Sequence, residues 1–221
     1  MSSYGRRLLL VTSATAIVCV AIGLYIGLYL TNVPGSVAAT RVGPVTNLYL
    51  GTVPAAETTD PHPTWVSYYV VSPTSTNWQH KTTFELPAHS LVHVTVYQFD
   101  GQSGLRNPFI SQATGTVGGT FQLNGKTTKA IDPDTASHVF AIPQIGLSVP
   151  LEGVADNAPN QCGNAPCSLS MAHYTISFTF RTPGKGLYRW QCFVPCAAGY
   201  MLGFGGPMQT VGYMDGFIKV V

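Results

Sequence analysis

From Leu8 to Leu30 the chain carries no charged residue, and Leu, Ile, Val, Ala and Tyr dominate. At about 1.5 Å rise per residue, a helix of that length spans a hydrocarbon core of roughly 30 Å. Such a run commits the start of the chain to a membrane and leaves the rest to fold elsewhere. Arg6 and Arg7 stand directly before it, and the next cation is Arg41. Positive-inside bias puts the N-terminus in the cytoplasm and everything after about residue 31 outside, as a single-pass protein of the plasma membrane. Tyr25 and Tyr29 fall near the outer end, where amphipathic rings favour the interface. A cleaved signal peptide is the competing reading, with Ser36-Val37-Ala38 as a small-residue site. Its apolar region should be about 7–15 residues, shorter than this run. Residues 1–31 therefore read as a cytoplasmic stub and transmembrane anchor.

Residues 32–62 carry Pro34, Gly35, Gly43, Pro44, Pro54 and Pro61. They read as a Pro/Gly-rich spacer with one short extended piece around Val45–Leu50. Beyond it, over 63–221, the apolar period becomes two. Val92, Val94 and Val96 alternate with His93, Thr95 and Tyr97, the pattern of a half-buried strand. Tyr174, Ile176, Phe178 and Phe180 alternate with His173, Thr175, Ser177 and Thr179 in the same way. Short β-rich runs recur at Trp65–Ser72, Thr120–Leu123, His138–Ile142, Leu187–Cys192 and Phe217–Val221. Asp100-Gly101, Asn124-Gly125, Asp132-Pro133 and Pro183-Gly184 mark turns between them. No sustained 3.6 period follows the anchor. The expectation is an all-β sandwich or barrel outside the membrane.

Arg6 and Arg7 account for the whole net charge of +2, because the other nine basic residues balance nine acidic ones. A neutral outer domain lacks the clustered basic face that nucleic acid requires. Cys19 lies inside the anchor and reads as a small buried hydrophobe. The other cysteines form two close pairs. Cys162 and Cys167 sit in a Gly/Asn/Pro loop with no histidine beside them, and outside the cytoplasm such a pair closes as a disulfide. Cys192 and Cys196 end the run Tyr-Arg-Trp-Gln-Cys-Phe-Val-Pro-Cys. With His138 they offer the thiolate and imidazole ligands that Cu(I) and Cu(II) share with little rearrangement.

Two stretches resemble the cupredoxin domain of cytochrome oxidase subunit II, over roughly residues 85–221. Ala136-Ser137-His138-Val139-Phe140-Ala141-Ile142-Pro143, then Gly146, is similar to the strand bearing that family's first copper-binding histidine. Pro183-Gly184, leading through Tyr188 and Trp190 to Cys192-x-x-x-Cys196, is similar to its binuclear copper loop. Gly212 to Val221 looks like the closing strand. The resemblance implies a cupredoxin-like Greek-key β-sandwich behind one transmembrane helix. It also implies electron transfer, or structural support, in a respiratory terminal oxidase. The partners would be a haem-copper oxidase catalytic subunit and an external electron donor; the chain would not be catalytic alone. Carried over by position, His138, Cys192 and Cys196 are metal ligands, and Val194 supplies the backbone carbonyl between the thiols. Tyr200 stands where the second histidine is expected, and Gly203 where the methionine is expected. Met201, Met208 and Met214 lie nearby, and Met208 follows a flexible Gly-rich turn able to fold its thioether back. One copper or two remain open. Trp190 is a plausible contact for electron entry over the 192–208 loop.

Two other functions remain open on the same residues. One is a stand-alone copper-binding or delivery protein. The other is a metal-free interaction module in which Cys192 and Cys196 are a disulfide. His89, His93 and His173 read as surface or structural, and His62 and His80 as loop residues. There is no Cys-x-x-Cys-His, Gly-x-Ser-x-Gly or His-Glu-x-x-His, and Gly203–Gly206 does not open a phosphate-binding helix.

Overall fold

A computed structural model describes residues 2–30, 35–56, 64–72, 77–196 and 206–221. The chain forms two compact units, Met1–Val33 and Pro34–Val221.

The first unit is one helix, α1 (Ser3–Tyr25), continued by a π-type segment over Ile26–Leu30. The Ser2 hydroxyl accepts a hydrogen bond from the Gly5 amide at 3.2 Å and so satisfies one first-turn donor. Thr12 and Thr15 donate back to the carbonyls of Leu8 and Val11 at 3.0 and 2.9 Å, which hides their hydroxyls within the helix. The stretch Ser3–Leu28 is long and apolar enough to cross a membrane. Cys19 lies on the surface of this helix, a position that a bilayer around the span would cover.

The second unit is built from fourteen strands among the described residues. These are β1 (Val37–Ala38), β2 (Thr40–Val42), β3 (Val45–Val53), β4 (Ser67–Val71), β5 (Trp78–Gln79), β6 (Thr83–Leu86), β7 (Leu91–Gln98), β8 (Phe121–Leu123), β9 (Lys126–Thr128), β10 (Ala136–Ile142), β11 (Leu147–Glu152), β12 (Tyr174–Arg181), β13 (Gly186–Gln191) and β14 (Asp215–Val220). One sheet runs β1-β6-β14-β13-β10-β11 and the other β5-β4-β3-β7-β12-β8-β9, with β2 beside β3. The chain crosses between sheets after β1, β5, β6, β9, β11 and β12, the connectivity of a Greek-key sandwich. The two alternating runs legible in the sequence lie side by side, with Val96 opposite Ile176, Val94 opposite Phe178 and Val92 opposite Phe180. All six are buried, and they meet Phe84, Trp190, Ile218 and Val220 in the main core. Asn124 (φ 48°) and Gly125 (φ 80°) close the β8–β9 hairpin in the left-handed pair that a two-residue turn requires. A second cluster covers the other face of the larger sheet. Tyr69, Val71, Phe99 and Trp78 pack there against the Cys162–Cys167 disulfide, which is formed as expected.

The spacer expected over 32–62 is not one. β3 pairs in parallel with β7 from Val45 opposite Leu91 to Thr52 opposite Gln98, and it buries Leu48, Leu50 and Val53. Pro44 and Pro54 sit just outside the two ends of this strand, where a missing amide donor costs no ladder bond. The sandwich therefore begins near residue 37, not 63.

Candidate metal centre

Strand pairing explains how His138 meets the cysteine loop. β10 and β13 run antiparallel with Ala141 opposite Gln191. Three residues back along β10 is His138, and three residues past Gln191 is Val194, midway between Cys192 and Cys196. Every residue of β10 is buried, so the imidazole is held under the loop, out of water. The Cys192 amide donates to the Met214 carbonyl at 2.9 Å and ties the loop to the chain entering β14.

His138, Cys192 and Cys196 come together as a buried cluster whose donor atoms all lie within 4.8 Å of one another. The His138 Nδ1 lies 3.4 Å from the Cys196 sulfur and 3.8 Å from the Cys192 sulfur. The sulfurs are 3.3 Å apart, well beyond the roughly 2.05 Å of a disulfide, and both thiols are free. The Val194 carbonyl oxygen lies 2.9 Å from the Cys196 sulfur and 3.6 Å from that of Cys192.

The other imidazole nitrogen meets a residue that the sequence left as a turn signal. His138 Nε2 donates to Asp100 Oδ2 at 2.8 Å. Asp100 is held in turn, its Oδ1 accepting from the Gly101 amide at 2.8 Å and its carbonyl accepting from Gln98 Nε2 at 3.1 Å. A carboxylate behind an imidazole fixes which nitrogen faces the ligand and strengthens it as a donor. No local signal marks Asp100 for this role, since 38 residues separate it from His138.

The charges of the site are mutually supporting. Burial lowers His138, but the Asp100 hydrogen bond and the Cys192 sulfur outweigh it and raise the imidazole to about 9. Burial raises Cys192, yet hydrogen bonds from Cys196 and His138 and the charge of His138 hold it well below an ordinary thiol. Cys196 moves upward because it donates to Cys192 and is itself buried. Burial also raises Asp100, and its contacts with His138 bring it below the usual carboxylate range. A pocket of about 330 Å³ opens beside the cluster, with Cys196, His138 and Asp100 in its wall.

The donor set fits copper. Two thiolates, one oriented imidazole and a carbonyl oxygen suit a soft-to-borderline ion that changes charge by one. Met208 lies in the short helical turn Gly206–Gln209, half-buried against the main core. Its carbonyl accepts from Gln191 Nε2 at 2.8 Å, one residue before Cys192. Tyr200, Met201 and Gly203 lie outside the described residues. Trp190 does not meet its expectation as an electron-entry contact, because it is 0% exposed and donates its indole N–H to the Thr82 carbonyl at 2.8 Å. The alternation of β13 turns it inward. Among the described residues of this loop, Phe193 is the aromatic that reaches solvent, at 44% exposure. The other described histidines sit away from the cluster. His93 pairs with Thr179 at 3.1 Å, His173 with the Met171 carbonyl at 2.8 Å and His80 with Ser67 at 2.6 Å, while His89 occupies a turn.

No protein-family profile matches this chain, and no curated protein matches it either. Among solved structures it is similar to reduced rusticyanin, with 16% identity over 86% of this chain and 87% of that one and a TM-score of 0.35. It is similar to rusticyanin from Thiobacillus ferrooxidans at 16% identity over 86% and 85%, with a TM-score of 0.33. It is similar to a chain of a heme-copper terminal oxidase dimer at 12% identity over 99% of each, with a TM-score of 0.34. Likeness of this size transfers no chemistry, which rests here on the donor atoms.

Proposed function

We propose that this chain is a membrane-anchored cupredoxin that binds copper through His138, Cys192 and Cys196 and transfers electrons to a haem-copper oxidase core, in the manner of a subunit II. The observation that carries the reading is the convergence of two unjoined, buried sulfurs on an imidazole whose far nitrogen is held by a carboxylate. α1 is the anchor, with the N-terminus cytoplasmic and the sandwich outside. Copper bound there supplies a one-electron couple. The chain's residues do the rest. Asp100 keeps the His138 Nδ1 lone pair directed at the sulfurs. Val194 offers its carbonyl and Met208 its thioether. β10 carries His138 and β13 leads directly into the cysteine loop, which keeps rearrangement on electron transfer small. Phe193 presents the loop to an external donor.

The pocket against Cys196 favours one second reading, a protein that receives and hands on Cu(I). Both are tested on the full-length chain in detergent, reduced and then loaded, by copper stoichiometry and EPR. Tight copper with a resolved Cu(II) signal supports electron transfer, and its hyperfine pattern separates one copper from a mixed-valence pair. Cu(I) that passes readily to a chelator and gives no stable oxidised signal supports delivery. Cys192→Ser should abolish uptake. Equal copper in parent and variant, or none in the parent, refutes the assignment.

A further inference from the structure

Gln98 is the last residue of β7, and its partner in the parallel pairing is Thr52, near the end of β3. Both are 0% exposed. Buried polar side chains must find partners inside the protein, and these two find them in one direction. The Thr52 hydroxyl donates to Gln98 Oε1, and Gln98 Nε2 donates to the Asp100 carbonyl at 3.1 Å. The Thr52 carbonyl also accepts from the Phe99 amide at 3.0 Å, which pins the bend between Gln98 and Asp100 to the end of β3. Asp100 needs such a hold. It stands two residues past β7, before Gly101, and its side chain is 25% exposed. Its carbonyl takes a second donor, the Val154 amide, at 2.9 Å. With that backbone fixed, the carboxylate meets the Gly101 amide on one oxygen and His138 Nε2 on the other, each at 2.8 Å. A contiguous chain thus runs from Thr52 through Gln98 and Asp100 to His138, from the larger sheet to β10 of the smaller.

We propose that Gln98, set by Thr52, is a positioning residue of the metal centre. It anchors the Asp100 backbone, so that the carboxylate holds His138 Nε2 and leaves Nδ1 facing the thiols. Gln98 acts through Asp100 and not on a ligand atom. The consequence for copper rests on the copper reading above; the hold on the imidazole does not. A ligand already fixed in its bound orientation loses less freedom when the metal arrives. β3 carries no ligand, yet its pairing with β7 reaches the site by this route.

Thr52→Val combined with Gln98→Met replaces the buried pair by apolar side chains of nearly the same shape, a change that keeps stability close to the parent's. Two readouts follow in the full-length chain in detergent. In the reduced, metal-free protein the His138 Nε2 proton, followed by NMR on chain labelled with 15N-histidine, should exchange with water about tenfold faster than in the parent. In the copper-loaded protein Cu(I) affinity should fall about 3–10-fold, less than the 10–100-fold expected for a partner that touches the imidazole itself. Added to Asp100→Asn, the same pair should change affinity by less than about twofold, because residues that act through one another are not additive. Thr52→Ser with Gln98 kept, which retains the hydroxyl, should restore both readouts. An unchanged proton exchange, or an equal affinity loss with and without Asp100→Asn, would overturn the role of Gln98 and leave the copper reading standing. A parent that takes up no copper would overturn the copper reading, and the exchange rate would still decide whether Gln98 holds His138 through Asp100.

Discussion

Asp100→Asn is the substitution that most directly tests the architecture of the site. It keeps the shape of the side chain and removes the charge facing His138 Nε2. That contact is 2.8 Å long, and the His138 side chain is 4% exposed against 25% for Asp100, so water replaces the lost partner poorly. Hydrogen bonds to charged groups contribute about 1.5–3 kcal/mol. Loss of an outer partner of a metal-bound histidine weakens affinity about 10–100-fold, which at about 1.4 kcal/mol per decade covers nearly the same range. The expected outcome is a 10–100-fold weaker Cu(I) affinity, with copper stoichiometry at saturation unchanged. Competition against a chelator of known affinity, at one pH, reads this directly. A loss under about threefold, or one matched by Glu152→Gln, would show that Asp100 does not orient the imidazole.

Three further outcomes follow from the fold. Leu50→Ala should cost about 2–5 kcal/mol in denaturant unfolding, because Leu50 is 0% exposed in β3; a cost near zero would return residues 45–53 to a spacer. Cys162→Ser opens a short loop and should cost about 2 kcal/mol, roughly 4–8 °C in Tm, with copper content unchanged; loss of copper in this variant would place the disulfide in the site. Burial raises the Glu152 carboxyl, a Thr135 hydrogen bond opposes the shift, and Asp132 adds to it, for a net rise. The folded state therefore holds that proton more tightly than the unfolded chain, and this contribution to stability is full below about pH 4.3 and lost as pH rises through the raised value. Glu152→Gln should flatten the stability curve over that window, and parallel curves for the two proteins would refute the assignment.

The sequence by itself determined what depends on near neighbours. The charge-free run specified α1, and the period of two in Leu91–Gln98 and Tyr174–Arg181 specified two strands and which of their faces is buried. Asn124-Gly125 specified a turn, and the setting of Cys162 and Cys167 specified a disulfide. The identities of His138, Cys192 and Cys196 offered a set of copper ligands and left a Cys192–Cys196 disulfide open beside it. Tertiary structure decided what depends on partners far along the chain. Two flanking prolines looked like a spacer until β3 found β7 and gained a full ladder and a buried face. Trp190 looked like a surface contact until the pairing of β13 with β14 turned it into the core. Asp100 was a turn residue until the end of β7 came beside β10. Period, turn chemistry and ligand type are set within a few residues. Register and the burial of a polar group are settled only when two sheets close over one core, and at this site they select which imidazole nitrogen faces the thiols.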